Sequence, residues 1–134
     1  MSNDGMFEPI PEETEQLAAQ FVEAAFRVHR ALGPGLLESV YEACVCHELS
    51  QAGVPFRRQV DIPVCYGGVK LDAGVRLDLL IGERIIVEFK AVEETLPVHE
   101  AQLLTYMKLS DCRLGFLVNF NVARLKDGLF RRVL

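Results

Sequence analysis

The stretch Val75-Arg76-Leu77-Asp78-Leu79-Leu80-Ile81-Gly82-Glu83-Arg84-Ile85-Ile86-Val87-Glu88-Phe89-Lys90 limits what this chain can fold into more than any other part of it. It reads as two apolar strands joined by a tight turn, with Asp78, Glu88 and Lys90 standing where core residues are expected. Burying a carboxylate without compensation costs on the order of several kcal/mol. Two acids and a lysine in one hairpin therefore point to a site. The occupant best suited to such a site is a hard divalent cation, which prefers oxygen ligands.

Register decides whether the two acids cooperate. If Gly82-Glu83-Arg84 forms the loop, Ile81 pairs with Ile85 and Asp78 lies opposite Glu88. Directly opposed residues share a sheet face, with Cβ atoms about 5 Å apart. Lys90 then lies on that face as well, two positions along the strand. A two-residue turn would place Asp78 opposite Val87 and send Glu88 to the other face. The functional reading thus requires an odd-length loop or a bulge, and glycine-containing three-residue loops are common.

The rest of the chain must supply a body for this hairpin. With 134 residues, 50% hydrophobic and 25% charged, it can bury a real core as one globular domain. Residues 1–12, with Pro9 and Pro11 among acids, are expected to be a flexible lead-in, and residues 13–134 the single domain. Leu17, Phe21, Ala24, Val28 and Leu32 recur at helical spacing from Thr14, and Gly33-Pro34-Gly35 ends that helix. A second helix is expected from about Leu37 to Ala52. Strands follow at Phe56–Tyr66, Val69–Leu71, Val75–Ile81 and Ile85–Ala91, with a hairpin turn at Gly67-Gly68. Pro63 marks the first of these as an edge strand or a bulged one. Pro97 opens a third helix through about Leu109. Leu114–Phe120 reads as a buried strand, Asn121–Gly128 as a loop or helical turn, and Leu129–Val133 as a last strand. This order predicts an α/β (α+β) fold, a mixed sheet with helices packed on it.

Charge and cysteine usage narrow the partners. The net charge of −5 argues at first against nucleic acid. Yet Asp4, Glu8, Glu12, Glu13 and Glu15 precede any basic residue; without these five, 14 of the 19 acids remain against 14 basic residues. Arg113, Arg124, Lys126, Arg131 and Arg132 face only Asp127, a group that could contact phosphates. Cys44, Cys46, Cys65 and Cys112 contain no C-x-x-C pair and are expected as buried or partly buried thiols in a reducing compartment. No apolar run reaches membrane-spanning length and the first residues lack a signal-peptide pattern, so a soluble cytoplasmic protein without a membrane partner is expected.

The helices add candidates. Gln102 and Tyr106 share one helix face at i and i+4, with His99 one turn earlier. A glutamine there could orient a water or phosphate, and the tyrosine could touch a nucleic-acid backbone. Glu38 and Tyr41 form an i, i+3 pair at the start of the second helix, where an acid also suits the helix dipole. His29, His47 and His99 lack zinc-ligand spacing, and no nucleophile elbow, P-loop or dinucleotide fingerprint is present.

Gly35-Leu36-Leu37-Glu38-Ser39-Val40-Tyr41 resembles the signature of the GxxExxY proteins, and Asp78 with Glu88-Phe89-Lys90 resembles the D…E-x-K core of the PD-(D/E)XK nuclease superfamily. Gln102-Leu103-Leu104-Thr105-Tyr106 is similar to the Q-x-x-x-Y motif of RecB-like and Cas4-like members. Leu77 departs from the superfamily pattern by standing where proline precedes the aspartate, and the Cas4-like cysteine cluster is not reproduced. The resemblance implies a restriction-endonuclease-like central mixed β-sheet flanked by helices. It implies that Asp78, Glu88 and the Phe89 carbonyl bind Mg²⁺ or Mn²⁺, with Glu38 completing the acidic cluster. It further implies that Lys90 helps position the attacking water, that Gln102 belongs to the catalytic set, and that Tyr106, His99 and Tyr41 contact substrate. The implied activity is hydrolysis of phosphodiester bonds in DNA, with RNA as the alternative substrate. The competing class is a non-catalytic module binding nucleic acid or a partner protein, and a homodimer would enlarge its surface.

Overall fold

The computed structural model describes residues 8–134. Residues 1–7 of the expected lead-in, and with them Asp4, lie outside the described residues; Glu12 already begins the first helix. The elements run α1 (Glu12–Leu32), α2 (Glu38–Gln51), β1 (Phe56–Tyr66), β2 (Val69–Ile81), β3 (Ile85–Lys90), α3 (Pro97–Ser110), β4 (Leu114–Asn119) and β5 (Leu129–Val133). A single 3₁₀ turn, Leu125–Asp127, occupies the Asn121–Gly128 connection. The five strands form one mixed sheet in the order β1-β2-β3-β4-β5, with β3 and β4 parallel and the other neighbours antiparallel. This is the expected α/β architecture, flanked by three helices.

Helix α1 buries Ala18, Phe21, Ala25 and Val28 along one stripe, and its first turn carries Glu12, Glu13 and Glu15, which suit the positive end of the helix dipole. With α2 it covers one face of the sheet, over Leu79, Ile81, Ile85, Val87, Phe89, Phe116 and Val118. Helix α3 covers the other face, where Leu103 and Met107 meet Leu80, Ile86 and Leu117. Strands β3 and β4 are therefore enclosed on both sides, which explains their near-continuous apolar sequences and isolates Glu88 as the one charged residue of β3 that is buried.

Two expected strands are one. Val69–Leu71 and Val75–Ile81 join through Asp72-Ala73-Gly74, because β1 runs unbroken opposite them and Pro63 pairs with Gly74. A Cβ on Gly74 would lie 2.3 Å from the Ile62 carbonyl oxygen, so the residue that looks like a strand breaker permits a close approach instead. The register shift expected at Pro63 occurs between Pro63 and Cys65, on an edge strand. Against α3, Gly115 leaves room for Met107, whose Sδ would be 2.6 Å from an added Cβ. Gly115→Ala is expected to destabilise the fold by about 1–3 kcal/mol through overpacking, measured as a lower urea midpoint with unchanged slope.

Cys44, Cys46 and Cys112 are buried or half-buried free thiols as expected, whereas Cys65 is exposed. Burial pushes the Cys46 thiol up to about 11, which leaves it inert at neutral pH. No helix among the described residues is long and apolar enough to cross a membrane.

Candidate functional site

The β2–β3 turn has the register on which the two acids depend. Ile81 pairs with Ile85, Leu80 with Ile86 and Leu79 with Val87, and the turn is closed by Gly82 and Glu83 at φ 58° and 60°. Beyond Leu79–Val87 the backbone ladder stops, and two carboxylates take its place. Phe89 N–H donates to Asp78 Oδ2 at 2.9 Å, and Asp78 N–H donates to Glu88 Oε2 at 2.9 Å. Each acid thus satisfies a backbone donor on the opposing strand. One oxygen of each carboxylate is used in this exchange. In an extended strand the N–H and C=O of a residue point to the same side, so the Phe89 carbonyl also faces β2 past the end of the ladder.

Both strands of the outer hairpin change face at this level. Phe56, Leu79 and Ile81 pack toward α1 and α2, whereas Val60, Ile62, Leu77 and Val75 pack toward α3. The change centres on Gln59, which has φ 51° and lies opposite Asp78 between the paired residues Arg58–Leu79 and Val60–Leu77. Side chains that strict alternation would keep on one face are split there, and Asp78 sits at the split.

Glu38, at the first position of α2, is half-buried, and Glu42, one turn on, is 5% exposed. Arg58 donates to Glu42 Oε2 through Nε and Nη2 at 3.2 and 3.1 Å, and the Gln59 amide donates to both Glu42 oxygens at 3.0 and 3.1 Å. Glu42 is therefore a fully engaged anion. Sequence reasoning passed over it together with Gln59 and Arg58; the i, i+4 spacing of Glu38 and Glu42 was the available signal.

The electrostatics record how strongly the acids are crowded. Burial pushes Glu88 up from its ordinary 4.5 to about 8, and the charge on Asp78 adds to that. Burial also raises Asp78, against the Phe89 N–H and the Gln59 side chain, which favour its charged form. Glu38 is raised by burial first and by the Asp78 charge second. Lys90 opposes all three shifts, which puts its ammonium within electrostatic reach of Glu38, Asp78 and Glu88. Lys90 is also fixed through its backbone: its carbonyl accepts from Phe120 N–H at 3.0 Å, and the buried Asn119 amide ties down Val92 just beyond, donating to its carbonyl at 2.9 Å and accepting from its N–H at 3.1 Å.

The donor chemistry fits a hard cation, since Asp78, Glu88 and the Phe89 carbonyl offer only oxygen. Among the described residues, however, no three His, Cys, Asp or Glu side chains are gathered closely enough to hold a metal. Glu38 shares the field of the hairpin acids without joining them in such a group. Two carboxylates and a carbonyl still match the habit of Mg²⁺, which keeps several waters and takes few protein ligands.

The remaining candidates each have hydrogen-bond partners of their own. The Gln102 amide donates to the Tyr106 hydroxyl at 2.9 Å, so the pair is bound to itself on a half-buried face of α3. His99 Nδ1 accepts from Leu96 N–H at 3.0 Å and so caps the start of α3. Tyr41, expected at the substrate, lies in the core of this fold. It is fully buried, stacks on Phe120 with centroids 4.5 Å apart, donates to the Gly33 carbonyl at 2.6 Å and accepts from Leu36 N–H at 3.1 Å. A side chain enclosed in this way locks the α1–α2 loop and offers no surface to a substrate. Tyr41→Phe is expected to cost about 1–2 kcal/mol by stranding those two backbone groups, read from the urea midpoint.

Most of the basic C-terminal group has partners within the protein. Arg131 pairs with Glu15 at 2.7 Å, Arg132 pairs with Glu100, Arg124 lies 3.5 Å from Asp127, and Arg113 donates to the carbonyls of Glu8, Pro9 and Leu134. Folding brings Glu15 of the acidic N-terminal stretch onto Arg131 of the basic C-terminal one.

A mixed five-stranded sheet with helices on both faces, carrying two acids and a lysine on one central hairpin, is the framework of a nuclease-like α/β domain. A family model described as the PD-(D/E)XK nuclease superfamily matches residues 15–133, and the chain belongs to that superfamily. Searches of curated proteins and of solved structures return no match.

Proposed function

We propose that this protein is a divalent-metal-dependent nuclease that hydrolyses phosphodiester bonds, with DNA as its substrate and RNA as the alternative. The observation that carries the reading is the exchange at the end of the β2–β3 ladder, where Asp78 and Glu88 each accept a backbone N–H from the opposing strand at 2.9 Å and leave one oxygen apiece for another partner. Superfamily membership supports it.

In this reading Asp78, Glu88 and the Phe89 carbonyl hold Mg²⁺ or Mn²⁺, and Glu38 contributes negative charge from α2. When bound, such a cation supplies Lewis acidity and positive charge where the phosphodiester gains negative charge. Lys90 orients the attacking water and stabilises charge on the phosphoryl oxygens. Gln102 and Tyr106 are proposed to reach substrate by exchanging their mutual hydrogen bond for one to a phosphate or base, and His99 holds the start of their helix. The Gly35–Tyr41 signature supports placement among the GxxExxY proteins, with Tyr41 serving the loop rather than the substrate.

The second reading is a non-catalytic module that binds nucleic acid or a partner protein, in which the acids serve the fold. It is favoured by the lack of a gathered set of three ligating side chains among the described residues and by the ion-paired arginines. Turnover by the repurified full chain on single-stranded, duplex and branched DNA, and on RNA, with Mg²⁺ or Mn²⁺ and with chelator, separates the two. Metal-dependent cleavage of any of these supports the nuclease; none on the whole panel, with metal bound, supports the module.

A further inference from the structure

We propose that Gln59 is a positioning residue for Asp78, braced by Glu42 and Arg58, and that Glu42 acts as this brace rather than as a metal ligand. The inference rests on the metal-site reading above and deepens it.

Gln59 occupies a conformation that a side-chain-bearing residue seldom adopts. Its φ is 51°, within a strand whose neighbours Arg58 and Val60 keep their ladder partners Leu79 and Leu77. A non-glycine residue in the left-handed region is uncommon and costs roughly 1–2 kcal/mol. Asparagine or glycine would meet the backbone requirement with less strain, so the backbone alone does not explain a glutamine here. The side chain does. Its amide bridges both oxygens of buried Glu42 at 3.0 and 3.1 Å, and its strand position lies opposite Asp78 in the β1–β2 register. The carboxamide thus stands between α2 and the hairpin, at the level where β1 and β2 change face.

Glu42 completes the argument. Both of its oxygens are taken by protein donors, and Arg58 balances its charge from 3.1 Å. A carboxylate so engaged would have to give up several charge-assisted bonds to join a metal. It is better placed to hold Gln59 rigid, as carboxylates behind metal-site groups commonly do. Arg58, Glu42 and Gln59 form a chain of contacts that ends at the β1 position facing Asp78.

The test uses the full chain and Mn²⁺ as the probe. Gln59→Gly removes the amide while relieving the positive φ, which offsets part of the cost of the lost Glu42 bonds, so the variant is expected to fold and to melt somewhat below the wild type. Its Mn²⁺ affinity by calorimetry is expected to fall about 10-fold, within the range for lost outer-shell partners. The electron paramagnetic resonance spectrum of bound Mn²⁺ should change as well, which a purely structural role for Gln59 would not produce. Glu42→Gln keeps an acceptor for Gln59 but sets an amide against Arg58; it is expected to weaken Mn²⁺ binding less than Asp78→Asn does. Wild-type affinity and spectrum in Gln59→Gly, with binding lost in Asp78→Asn, overturn the positioning role alone. Abolition of binding by Glu42→Gln to the extent seen with Asp78→Asn overturns the assignment of Glu42 as brace. No Mn²⁺ binding by the wild type, or undiminished binding by Asp78→Asn, overturns the metal-site reading and this inference with it.

Discussion

Glu88→Ala and Lys90→Ala are each expected to reduce Mg²⁺- or Mn²⁺-dependent cleavage by about 10²-fold or more, the scale on which single electrostatic or proton-transfer groups act at reacting centres. The two losses have different origins. Glu88 is buried with one oxygen committed to Asp78 N–H, so its removal takes away a proposed metal ligand and also strands a backbone donor. That variant should bind Mn²⁺ more weakly and melt somewhat lower. Lys90 is half-exposed at the end of β3, and its backbone is anchored by Phe120 N–H whatever its side chain. Lys90→Ala should therefore fold normally, retain metal and fail in turnover. Substrate titrations should show the Lys90 defect in kcat, since a group acting on developing charge is used in the transition state rather than in ground-state binding. Undiminished cleavage by both variants, after rigorous repurification, would reject the mechanism.

The hairpin was legible in the sequence because alternation and turn length together leave few choices. A buried face forbids a one-residue slip, and Gly82 fits the three-residue turn that pairs Ile81 with Ile85. Gln102 and Tyr106 were legible as neighbours because four residues on a helix is contact distance, and they do touch. What escaped reading depends on contacts that spacing cannot reveal. Tyr41 is internal because Phe120, far along the chain, stacks on it. Glu15 and Arg131 are separated by 116 positions, and nothing local to either announces their pairing. Gln59 is the most instructive case: its role depends on a positive φ in a strand, which its side-chain type gives no reason to expect. Glu42, four positions after Glu38, gains its role only from Arg58 and Gln59, which converge on it from another element.

The metal-free protein is expected to lose stability as pH rises from about 5 to 8, and Glu88→Gln should remove most of that dependence. Glu88 titrates near 4.5 when unfolded and at about 8 in the fold, because burial and the Asp78 charge disfavour its ionised form. The native state therefore binds a proton that the unfolded state has released throughout this window. Stability from the group is fully present below about pH 4.5 and is lost as pH climbs through 8, at up to about 1.4 kcal/mol per pH unit and on the order of a few kcal/mol in all. The lowered carboxyls Glu15, Glu83 and Glu100 act on the other side, losing their contribution only as pH falls through the acid range. They leave the window from 5 to 8 clear. Asp78 and Glu38 are raised too, so a shallower slope should survive in Glu88→Gln. Glutamine keeps a carbonyl oxygen for Asp78 N–H while removing the charge, so the variant should be the more stable protein at pH 8 and nearly equal at pH 5. Saturating Mn²⁺ at pH 8 should stabilise the wild type, since a ligand that binds only the fold shifts the equilibrium toward it, and should do little for the variant. Urea midpoints across this range with chelator and with Mn²⁺ supply the measurement. A flat metal-free profile for the wild type would mean that Glu88 is hydrated in solution and that the strain assigned to the crowded hairpin acids is absent.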